Sequence, residues 1–94
     1  MDAPANLDDV RAQIDALDAE IVRLLAERGR YVTQAARFKR TAAEVAAPAR
    51  AAQVIGRVRA LASAHDADPD IVEAIYRTII ARFTSAELKE FSQP

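Results

Sequence analysis

One run of residues limits what this chain can fold into more than any other. Leu7, Val10, Ile14, Leu17, Ile21 and Leu24 follow one another at steps of three and four, the spacing that aligns side chains on one helix face. The same steps lead on to Arg28, Tyr31, Ala35 and Phe38, which predicts one helix over 7–40. Gly29 weakens such a helix by about 1 kcal/mol relative to alanine, but the periodicity passes through it unbroken, so the helix is expected to continue. An arginine therefore stands where the pattern asks for an apolar side chain. Lys39 falls on nearly the same face as Arg28, because the residues between them complete roughly three turns. Two cations on the inner face of an apolar helix require an explanation.

The remaining pattern is helical too. Pro48 suits a first helical position, and Ala51, Val54, Val58 and Leu61 give an apolar face to a second helix over 48–65. Asp68-Pro69 reads as an acidic cap followed by proline. A third helix over 69–91 carries Ile71, Val72, Ile75, Tyr76, Ile79, Ile80 and Phe83. Residues 1–6 read as a disordered leader, with Asn6 or Asp8 capping the first helix, and 40–47 as a connection. No alternating pattern marks a strand. A chain of 94 residues, 51% hydrophobic and 29% charged, suits a single all-α domain of one long and two shorter helices.

That first helix has a consequence for assembly. At 1.5 Å per residue it spans about 50 Å, whereas a compact globule of this length is only about 30 Å across. Two shorter helices cannot cover its whole seam. The expected partner is a second copy of the chain, the two long helices packing against each other in a homodimer of two-fold symmetry.

Composition removes several function classes. The sequence has no cysteine and one histidine, His65, so neither a disulfide framework nor a His/Cys metal site is expected. A net charge of −1 argues against a general nucleic-acid binder. The start, MDAPANL, lacks a basic region followed by an apolar run, and no stretch is apolar enough for a membrane span. A cytoplasmic protein with no membrane partner is expected. Arginines number eleven against two lysines, and the guanidinium is suited to bidentate capture of carboxylates.

Only the misplaced charges carry information about a site. Arg28 and Lys39 break the first helix's seam, and Arg11 adjoins it one residue past Val10. Arg50 edges the inner face of the second helix. Glu87 follows Ile80 and Phe83 on the core stripe of the third. Burying charge without a partner costs several kcal/mol, and one acid cannot neutralise four bases. Exposed acids, a partner chain or a bound anion can supply the missing negative charge. Arg11 and Arg28 lie roughly 25 Å apart along one helix, so a shared small ligand requires Arg11 from the other chain of an antiparallel pair. Each residue also has a plainer reading. Arg28 can set register in a coiled dimer, and Lys39 can snorkel or favour a helix end. Arg50 can be solvated surface, Arg11 can pair with Asp8 or Asp15, and Glu87 with Arg77, Arg82 or Lys89.

LDDVRAQIDALDAEIVRLLAER, followed by RFK ending at Lys39, resembles the first helix of the all-helical chorismate mutases. VAAPAR and IVEAIYRTIIARFTSAEL extend the resemblance, which covers 7–91 without large insertions. It implies an intertwined dimer with two equivalent active sites and a unimolecular rearrangement of chorismate to prephenate without a cofactor. It implies that Arg28, with Arg11 of the other chain, holds the substrate carboxylates, that Lys39 donates to the breaking ether bond, and that Arg50 lines the site. Glu87 stands where many relatives carry glutamine, a second donor to the ether oxygen. Ala47 and Ala51 stand where typical mutases carry acids, and here the segment is similar to the isochorismate pyruvate lyases, which release salicylate and pyruvate. Those lyases keep glutamine at position 87. Mutase activity is the expectation. Lyase activity in the same pocket and a non-catalytic helical dimerisation module are the alternatives.

Overall fold

A computed structural model describes residues 3–91 of the chain. Their helices are α1 (Leu7–Ala36), α2 (Ala42–Ala46), α3 (Pro48–Ala64) and α4 (Pro69–Phe91), and no strand occurs among the described residues. The chain divides into two compact units, 1–32 and 33–94.

The first unit holds most of α1. Met1 and Asp2 of the expected leader lie outside the described residues. Asn6 caps the helix, its side-chain oxygen accepting from the Asp9 N–H at 2.9 Å, and the Ala5 N–H donates to the Asp9 carboxylate at 3.1 Å. Asp8 and Asp9 place negative charge in the first turn, where the helix dipole favours it. As expected, the helix runs through Gly29. Its outer face is braced by Arg23, which pairs with Glu20 and Glu27. No residue of α1 is buried. The apolar seam lies open, with Leu7 60%, Leu17 62% and Ile21 53% exposed.

The helix ends sooner than 7–40. It stops at Ala36, and a turn follows in which the Phe38 N–H donates to the Ala35 carbonyl at 3.1 Å and the Lys39 N–H to the Ala36 carbonyl at 3.1 Å. Phe38 is 87% exposed, so no burial repays extending the helix that far. Lys39 is therefore placed by a turn and not by helical periodicity.

The expected connection over 40–47 contains α2. Thr41 is its N-cap, the hydroxyl oxygen accepting from the Glu44 N–H at 3.1 Å. The Glu44 carboxylate reaches back to accept from the Arg40 N–H, a variant of the capping box shifted by one residue. Val45, 2% exposed, is the most deeply buried side chain described and anchors α2, which packs against α4. Ala47 then turns the chain in the left-handed region at φ 40°. Its N–H satisfies the Ala43 carbonyl and its carbonyl accepts from Ala51 at 3.0 Å, so one residue closes α2 and opens α3. Pro48 follows at the first helical position.

The core of the second unit lies on α2 and α3: Val45, Val54, Ile55, Val58 and Ala62 are buried, and α3 packs along α4. A surface ion-pair chain ties the same two helices. Arg59 of α3 contacts Asp70 at 3.0 Å and Glu73 at 2.8 Å, and Glu73 also holds Arg77 at 2.7 Å. The α3 C-terminus closes as a Schellman motif: Ala67 N–H donates to the Ala62 carbonyl at 2.8 Å and Asp66 to Ser63 at 3.3 Å. Asp66 takes the left-handed position at φ 58°.

Candidate active site

Of the five candidate residues, the second unit brings two into contact. Lys39 Nζ lies 3.5 Å from Glu87 Oε2, joining residues that are 48 positions apart in the chain. Lys39 comes from the turn after α1 and Glu87 from α4. Their side chains are only 23% and 10% exposed. At this burial a lone charge is costly, and each group supplies the other's counter-charge, which offsets part of that cost. The sequence offers Glu87 the partners Arg77, Arg82 or Lys89, whereas in the structure it pairs with Lys39.

Glu87 reaches this position because α4 carries it on the stripe of Ile80 and Phe83, all of them partly buried. Lys39 is held from its C-terminal side, since the Arg40 N–H and Thr41 are both bonded to Glu44. Chemically, the pair offers an ammonium with spare N–H donors and a carboxyl that donates a hydrogen bond only when protonated.

Arg50 lies in the first turn of α3 and is exposed. Its Nη1 donates to the Gln53 side-chain oxygen at 2.6 Å, so its guanidinium is braced by its own helix. Arg11 and Arg28 belong to the first unit. Arg11 is exposed, whereas Arg28 is partly covered and is not without a partner.

Ion pairs perturb two carboxyls outside the candidate set. Hydrogen bonds from Arg77 and Arg59 hold the Glu73 carboxyl below the usual range, and the Arg23 hydrogen bond does the same for Glu20. Glu20 pairs within α1, and Glu73 pairs within α4 and across to α3. A separate cleft of about 460 Å³ opens between α3 and α4, lined by Ala51, Ile55, Ile80, Ala81, Thr84 and Leu88 among others and by none of the five candidates. No group of His, Cys, Asp or Glu among the described residues is arranged to hold a metal ion. No helix among them is long and apolar enough to cross a membrane.

Two features of this region escape the periodic pattern of the sequence. α2 is signalled by Thr41-x-x-Glu44, a helix-start pattern hidden inside a stretch of alanines. The Gln53 brace on Arg50 is an (i, i+3) pair on a helix, visible once α3 is placed.

Comparison with protein families matches residues 10–88 to the model of chorismate mutase type II. The match spans most of the chain, and the chain belongs to that family, whose members are isomerases. Comparison with curated proteins finds no match.

Proposed function

We propose that this member of the type II chorismate mutase family converts chorismate to prephenate in a site shared between two copies of the chain. The observation that carries the reading is the Lys39–Glu87 pair, two partly buried polar groups held 3.5 Å apart by separate elements. A unimolecular pericyclic step needs no nucleophile. It is accelerated by holding the enolpyruvyl side chain over the ring and by fixed donors aimed at charge developing on the ether oxygen. Lys39 supplies one such donor. Glu87, when protonated, supplies a second. Arg28, with Arg11 from the other copy, holds the carboxylates, a task suited to the guanidinium fork, and Arg50 lines the site. The substrate is a small dicarboxylate, and the reaction calls for no cofactor.

The second copy follows from α1. A 30-residue helix with an open apolar seam exposes hydrophobic surface on a scale that marks an interaction face. An isologous pairing of two such helices buries the seam and carries Arg11 of one copy toward the half-site of the other.

Chorismate is the proposed substrate because the matching family model is that of the mutases; Glu87 departs from the glutamine of the lyases and of many mutases alike. The test is turnover: loss of chorismate with appearance of prephenate, run beside salicylate fluorescence from isochorismate. The expected result is prephenate formation, lowered by at least about a hundredfold in Lys39→Ala. Salicylate release as the faster reaction reassigns the substrate. Full activity in Lys39→Ala overturns the site, and no turnover of either compound leaves a helical dimerisation module.

A further inference from the structure

The cleft between α3 and α4 has a chemistry of its own. Its volume of about 460 Å³ lies in the range of small-molecule sites. Apolar side chains, Ile55, Ile80 and Leu88 among them, make most of its walls. Three polar ones interrupt them, all on α4: Arg77, Thr84 and Ser85. Of the described residues that line the cleft, Arg77 alone is charged. Its guanidinium is braced, because Nε donates to Glu73 at 2.7 Å. That bond leaves both Nη nitrogens without a protein partner among the described residues. A guanidinium held this way presents a fork of N–H groups, the geometry that takes a carboxylate in parallel bonds. The acid beside it, Glu73, shares its charge with Arg59 of α3. The facing helix repels no anion: α3 carries Arg50, Arg57 and Arg59 and no acid. Thr84 and Ser85 stand two turns further along α4, roughly 10 Å from Arg77 by the helix rise. Neither hydroxyl has a partner among the described residues.

We propose that this cleft binds a small organic carboxylate with a ring-sized apolar body and a hydroxyl at its far end. The carboxylate lies on the Arg77 fork, the ring along the apolar walls, and the hydroxyl at Thr84 and Ser85. An inorganic anion leaves the walls wet, and a wholly apolar ligand leaves the fork bare. The site stands apart from the Lys39–Glu87 pair, since none of the five candidate residues lines it.

Titration calorimetry of the full chain with para-hydroxyphenylpropionate tests this, because it reads binding without turnover. Saturable binding at one site per chain is expected. Replacing the carboxylate by an alcohol, in para-hydroxyphenylpropanol, is expected to weaken binding at least tenfold, as is Arg77→Gln. Phenylpropionate, which lacks the far hydroxyl, is expected to bind roughly threefold more weakly. Ala81→Leu fills the cleft from an exposed helix position. It leaves the Arg77–Glu73 bond in place and is expected to abolish binding in a chain that melts as the parent does. Lys39→Ala is expected to bind as tightly as the parent. An absence of binding to the parent chain overturns the proposal, as does equal affinity for the acid and the alcohol. Binding that survives both Arg77→Gln and Ala81→Leu overturns it too. Binding lost in Lys39→Ala but kept in Arg77→Gln moves the ligand to the candidate active site and has the same consequence. Prephenate formation is read separately and stands or falls without this cleft.

Discussion

In the proposed mechanism Glu87 is the residue on which the chemistry turns. A carboxylate beside Lys39 neutralises it, whereas a carboxylic acid donates a hydrogen bond of its own. The two states differ by one proton, and only the protonated one supplies the proposed donor, so the rate is expected to fall as the medium becomes less acidic. Glu87→Gln keeps the shape and fixes the donor, and is expected to flatten the profile. Rates at saturating chorismate across pH 4–9 check this, and a flat profile in the parent protein contradicts it. Lys39 and Glu87 were both legible in the sequence as charges on apolar stripes, although for Lys39 the periodicity was the wrong reason: α1 ends at Ala36 and a turn carries the lysine inward. The left-handed joints were not legible, because neither Ala47 nor Asp66 is a glycine. Asp66→Gly is expected to raise stability by up to about 1 kcal/mol, read as an increase in the denaturation midpoint.

At the scale of elements, the second unit is held by a small apolar core and by the ion pairs between α3 and α4. Val45→Ala is expected to cost about 2 kcal/mol, since this side chain alone anchors α2, and Thr41→Ala about 1 kcal/mol through loss of the cap; urea denaturation reads both. Glu73 adds a pH dependence. Its carboxyl is held below the ordinary range by Arg77 and Arg59, so the unfolded state binds its proton first as pH falls. The contribution is therefore present above about pH 4 and is lost below it. Its partners Arg59 and Arg77 are 40% and 64% exposed, which keeps the effect small. Glu73→Gln is expected to shift the urea midpoint less than the parent between pH 5 and pH 3, and an identical shift contradicts the assignment. Helix positions and apolar faces were legible here because periodicity reports them directly. α2 was not, because a run of alanines gives no periodic contrast, and only Thr41 and Glu44 mark where it starts.

For the whole molecule, the proposed arrangement of two chains completing each other's sites accounts for both the open seam of α1 and the division of candidate residues between two units. Leu17→Glu places a charge at the centre of that seam and is expected to yield monomer by light scattering, with turnover lost alongside. A monomer that keeps full activity contradicts the shared site. The most direct measurement mixes two inactive variants, Arg11→Ala and Lys39→Ala, after unfolding and refolding together. In a shared site each mixed dimer has one pocket with both groups intact. Chorismate turnover is then expected to return to roughly one quarter of the parent rate, given random pairing in a two-fold dimer. Mixtures that stay as inactive as their components, while still forming dimers, contradict the account.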